Sequence, residues 1–183
     1  MKKALMIVSI LVVAVISTAC INNIAVQELN NKAAEYMDKG DYEAAVNRLQ
    51  ASLDLDSTMY QTYYNLGIAA LKAKKYETSI NALQDGIKIK SDYADFYYSL
   101  GAAQAEYAEA IIAGEENNNE TEENVKIEDI SPADKAKAIE YKRVAIENLS
   151  KYLEMVPNSP DKAKIEEIIS ELNKDLEENS DKV

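Results

Sequence analysis

The chain has 183 residues, 47% apolar and 28% charged, enough for one domain with its own core and too apolar for a disordered chain. Its 32 acidic against 20 basic side chains give a net charge of −12, which argues against nucleic acid, because a phosphate backbone is held by clustered Lys and Arg. The absence of His removes the side chain most used for acid–base work near neutrality, and 5 Gly with 3 Pro favour long helices.

The first unit is Lys2 and Lys3, an apolar run from Ala4 to Ile16, then Ser17-Thr18-Ala19-Cys20, which reads as an export signal. The run from 4 to 16 spans about 20 Å as a helix, short of the roughly 30 Å of a bilayer core, so cleavage is expected rather than spanning. Ser17 to Cys20 resemble the lipobox of bacterial lipoproteins, in which small residues precede a cysteine that takes a diacylglycerol thioether and becomes the mature N-terminus. Ala19 and Cys20 fit, while Ser17 stands where that family most often has Leu. The resemblance implies a signal peptide at 1–19, lipidation of Cys20, and a short tether at 20–23. An uncleaved anchor reaching Ile21, and secretion with an idle thiol, are the alternatives. Cys20 is the only cysteine, so no intramolecular disulfide is possible. Loss of Lys2 and Lys3 leaves 18 basic and 32 acidic side chains, a mature charge of −14, so the lipid and not the surface would hold the protein to anionic headgroups.

Next comes a hairpin at about 24–56, with Ile24, Leu29, Ala33, Tyr36 and Met37 on one helical stripe and Ala45, Val46, Leu49 and Leu53 on the other, turning at Gly40-Asp41. A second at about 59–90 carries Tyr63, Leu66, Gly67 and Ala70, then Ile80, Leu83, Ile87 and Ile89, with Lys74-Lys75 in place of Gly-Asp. Tyr63-x-x-Leu66-Gly67 returns as Tyr97-x-x-Leu100-Gly101, an interval of 34 residues, the signature of stacked helical hairpins. Ala45-x3-Leu49, Ser79-x3-Leu83 and Ala145-x3-Leu149 repeat a second half-motif, followed by Ser57, Ser91 and Pro157.

These residues resemble the tetratricopeptide repeat (TPR), whose pattern runs W-x2-L-G-x2-Y, A-x3-F, then P. The likeness spans about 26–158, strongest in the second repeat; the first has Leu29, Lys32 and Ala33 where Trp, Leu and Gly are usual. The small-residue motif of the third repeat is due near 113 but falls at Ala145, 32 residues late, so an insertion separates its two helices. Helical character runs on through Tyr107 to Ile112 and resumes at Ser131-Pro132-Ala133-Asp134, a cap with Pro in the first turn. An elongated helical pair projecting beyond its neighbours is expected, tipped by an acidic insertion at about 114–131. Its seven carboxylates (Glu115, Glu116, Glu120, Glu122, Glu123, Glu128, Asp129) against Lys126 give −6. That tip is expected to be a solvated loop; docking of a basic partner or weak calcium binding are sharper readings, the latter without EF-hand spacing.

From Ser159-Pro160-Asp161 a last helix carries Ile165, Ile168, Ile169, Leu172 and Leu176 on one stripe, a cap for the exposed end of the array, with a polar tail at 177–183. The expected fold is all-α: an α-solenoid of three TPR-like hairpins plus a capping helix, occupying 24–176, its third hairpin elongated by the insertion.

No nucleophile elbow, phosphate-cradling glycine loop or zinc spacing occurs, so no catalysis, cofactor or metal is expected. Resemblance to TPR proteins implies a concave groove lined by the first helix of each hairpin. There Tyr64, Ile68 and Leu71 form one row, Tyr98, Ala102 and Ala105 its counterpart 34 residues on, and Asn30, Ala34 and Met37 the first-hairpin share. Asn65 and Lys72 would add polar contacts, and Tyr64 and Tyr98 amphipathic anchors; the alternative is that these tyrosines only seal the repeats together. TPR proteins that hold acidic chaperone C-termini use a clamp of Lys, Arg and Asn, whereas this groove offers Asn30, Ala34, Asn65, Asp95 and Ser99. The expected partner is a neutral or basic protein or peptide, the expected role a membrane-anchored binding module of the bacterial envelope. A small-molecule or transport-accessory lipoprotein is the rival, which an enclosed tyrosine-lined cavity would favour.

Overall fold

A computed structural model describes residues 23–114 and 130–180. The expected export signal, Cys20 and most of the acidic insertion lie outside the described residues. Seven helices and no strand occur among them: α1 (23–38), α2 (Tyr42–Leu55), α3 (Tyr60–Lys72), α4 (Tyr76–Ile89), α5 (Ala94–Ile112), α6 (Pro132–Met155) and α7 (Lys162–Ser180). Consecutive helices pack in order, as a solenoid requires. No described helix is long and apolar enough to cross a membrane.

Local signals set the turns. Asp41 caps α2 by accepting from the Ala44 amide at 3.1 Å, after Gly40 turns the chain at φ 75°. Lys74, 34 residues later, takes the same left-handed conformation at φ 57° despite its side chain. Ser131 caps α6 by accepting from the Asp134 amide at 3.1 Å, with Pro132 in the first turn.

Glycines bring paired helices together. A Cβ on Gly67 would lie 2.5 Å from Leu83 Cγ, and one on Gly101 2.7 Å from Leu149 Cγ and 3.1 Å from the Ala145 carbonyl oxygen. Ser79 Oγ donates to the Gly67 carbonyl at 2.7 Å, tying α4 to α3 at the same level. The core runs through three linked clusters. Ala33, Leu49, Leu66 and Ala70 join the first two hairpins, Leu83, Phe96, Leu100 and Tyr107 the second and third, and Leu149, Ile165 and Leu172 seat α7.

The third hairpin is longer, 19 residues in α5 and 24 in α6 against 13 and 14 in α3 and α4. Its added length is anchored rather than free. Tyr107, 2% exposed, stacks on Tyr76 at 5.4 Å, meets Tyr141 at 4.8 Å, donates to Glu77 Oε1 at 2.9 Å and accepts from Lys137 Nζ at 2.8 Å. The capping helix runs to Ser180, past the boundary expected at 176, because its last turns continue the helix without a breaker.

Gly101→Ala should therefore cost about 1–3 kcal/mol in urea unfolding, since the Ala145 backbone must move as well as the Leu149 side chain.

Candidate peptide-binding groove

The predicted groove residues meet three different fates. Asn30 is consumed in structure: its Nδ2 donates to Val26 O at 2.9 Å and Ser52 Oγ at 2.7 Å, and its Oδ1 accepts from Thr62 Oγ1 at 3.2 Å. This pins α1 to α2 and α3, and it satisfies the buried hydroxyls of Ser52 and Thr62. Leu71 is core, 8% exposed, and Met37 packs against the first cluster.

Tyr64 also packs between repeats. Its ring meets Tyr93 at 5.4 Å and Phe96 at 5.6 Å, both edge-on, and its hydroxyl bonds Ser99. Burial, with Asp95, Tyr98 and Tyr152 nearby, pushes its pKa up despite that bond. Burial and the Asp95 carboxylate push Tyr93 up to about 12. Ala34 and Lys72 are exposed, while Asn65 and Ile68 are half-buried on the same helices.

Tyr98, Ala102 and Ala105 are brought together. They form one wall of an open cleft of about 400 Å3, whose other wall is α7, with Leu149 of α6 at its base. Tyr98 leans on Tyr152 at 5.4 Å, and the Tyr152 hydroxyl bonds Ser159 Oγ at 3.1 Å, fixing the mouth. Glu106, Glu109, Glu171, Asp175 and Lys164 supply the charge, and Ile168 and Leu172 the apolar far wall. Sequence reasoning named none of these groups as site residues. Glu106 was within its reach, being the counterpart of Lys72 at the 34-residue interval. In the sequence the α7 stripe has the pattern of a cap and gives no sign of a cleft wall.

Beneath the cleft lies Lys142, 4% exposed, its ammonium 2.8 Å from Glu109 Oε1 and 2.6 Å from Asp175 Oδ2. One cation thus joins α5, α6 and α7. Burial alone would lower its pKa; the bonds to Asp175 and Glu109 outweigh that and hold it above the ordinary 10.5. Gln104, 3% exposed, accepts from Asn148 Nδ2 at 2.8 Å, and no buried side-chain polar atom among the described residues lacks a partner. No cluster of three or more metal-ligating side chains occurs among the described residues.

Residues 33–74 and 70–107 match the family described as TPR repeat. Solved structures agree in fold: the Arabidopsis OM64 TPR domain (14% identity, TM-score 0.60, 84% of this chain and 98% of that one) is one. Others are the second TPR domain of human RPAP3 in complex with the HSP70 peptide SGPTIEEVD (13%, 0.59, 83% and 98%) and the Yersinia enterocolitica type III secretion chaperone SycD in complex with a peptide of the translocator YopD (14%, 0.56, 84% and 93%). At these identities the likeness shows the fold. No curated protein sequence matches the chain. Residues 33–107 are therefore similar to TPR repeats, within an all-helical solenoid.

The raised pKa values of Tyr64, Tyr93 and Lys142 fix a pH dependence. Each group is held in its protonated form by the fold, so its contribution is fully present below the unfolded values of 10.0 and 10.5 and is lost as pH rises through the folded ones. Unfolding free energy measured against pH should fall between about pH 10 and 12, and Lys142→Met should flatten part of that fall.

Proposed function

We propose that this chain is a non-catalytic peptide-binding module, held on a bacterial membrane by lipid on Cys20 and acting in envelope assembly or scaffolding. The open cleft between α5 and α7 carries the reading. The rival, a small-molecule or transport-accessory protein, calls for an enclosed cavity lined by tyrosines; this cleft is open and Tyr98 is the only tyrosine lining it. Neighbouring folds whose structures hold peptides support the same reading. Their peptides do not transfer, since one ends in EEVD and four carboxylates line the cleft here.

The export signal and lipobox resemblance support a periplasmic or cell-surface lipoprotein. Ile24, 69% exposed at the start of α1, follows Cys20 by four residues in the sequence and would meet apolar acyl chains favourably. The acidic body gives anionic headgroups no purchase, so the lipid carries the attachment.

A photo-crosslinking amino acid placed at Lys72, exposed on α3, or at Lys164, exposed on the α7 wall of the cleft, should yield adducts in cells of the native host, and at Gln84, exposed on α4, should not. Ala102→Arg should weaken both adducts without loss of helical signal; equal adducts at Gln84 would place the binding surface elsewhere. Cys20→Ser should abolish acyl labelling and release the protein from membranes. Retention of the variant in the membrane would show that the Ala4 to Ile16 run is itself the anchor.

A further inference from the structure

The first helices of the second and third hairpins differ in side-chain volume at matched positions. Ile68 and Leu71 of α3 become Ala102 and Ala105 of α5, 34 residues later. Where Leu71 fills the core, the two alanines leave space that α7 does not fill, and Ile168 and Leu172 face them across the cleft. Apolar surface there stays in water, and its dispersion contacts stay unmade, until a side chain enters.

The rim selects what enters. Glu106 projects from the α5 wall and Glu171 from the α7 wall; both are exposed, and neither has a cationic partner among the described residues. Glu109 and Asp175 share the single ammonium of Lys142, which leaves that group with a net charge of −1. Lys164 alone opposes the rim carboxylates. A second copy of this chain, a nucleic acid or an anionic lipid headgroup would bring negative charge to a negative site.

Resting on the peptide-binding reading, we infer that the α5–α7 cleft takes a bulky apolar side chain flanked by lysine or arginine from a partner polypeptide. The apolar group seats on Ala102, Ala105, Ile168 and Leu172, and the flanking cations pair with Glu106 and Glu171 on opposite walls.

Fluorescence anisotropy tests this with the full chain in detergent and three labelled synthetic peptides: leucine/lysine, leucine/glutamate and serine/lysine. The leucine/lysine peptide should bind, and the other two should bind roughly tenfold or more weakly, with affinity falling as salt rises. Glu106→Lys with Glu171→Lys should reverse the charge preference. Ala102→Ile with Ala105→Leu, which restores the second-hairpin residues, should abolish binding while raising Tm, so that loss of binding is not loss of fold. Failure of the leucine/lysine peptide to bind, equal binding of it and the leucine/glutamate peptide, or undiminished binding by the filled cleft, would overturn the inference. Crosslinks at Lys72 and Lys164 judge the underlying reading separately. Their presence alongside charge-indifferent peptides sinks the cleft chemistry alone; their absence sinks both.

Discussion

The spacing between paired helices is set where a leucine of the second helix lies over a residue of the first that has no side chain. Gly67 receives Leu83 and Gly101 receives Leu149, and each contact is too tight for a Cβ. The sequence separations are 16 and 48 residues, so the same contact survives 32 inserted residues. Ala33 and Leu49, again 16 apart and both buried, keep the register in the first hairpin with one methyl group more. Close approach at these points lets the outer faces of each hairpin meet the next, and the continuous core follows from it.

The third hairpin shows how extra length is tied down. Tyr107 sends its ring between Tyr76 and Tyr141 and its hydroxyl to Glu77 and Lys137, joining α5 to α4 and α6 above the level of the glycine contact. Lys142 then joins α5 and α6 to α7. A lysine so buried is stable only because two carboxylates meet it, and both carboxylates also line the cleft. Structure and candidate site therefore share the same charges.

Much of the fold was legible because its signals are local and periodic. The 34-residue return of Tyr-x-x-Leu-Gly, the displaced Ala145-x3-Leu149, the Ser131 cap and the α7 stripe each depend on neighbours within one or two turns. The site was less legible because its walls come from far apart in sequence. The register put Tyr98, Ala102 and Ala105 on one row, but Ile168, Glu171 and Leu172 face them only after α7 folds back across α6. Asn30 occupies the place of Tyr64 and Tyr98 in the register, and the register does not announce its bonds to Ser52, Thr62 and the Val26 carbonyl. Nothing in the spacing of Lys142 announces that it is buried, since its surroundings are assembled from three helices.

The last helix is at once the end cap of the array and half of the cleft. Molecules in which it has peeled away have no cleft to offer, so the affinity for a guest would be the intrinsic affinity scaled by the docked fraction. By the same linkage, a bound guest would hold the terminal helix down and protect its amide protons from exchange. Occupancy would then be readable at the C-terminus, without any label on the guest.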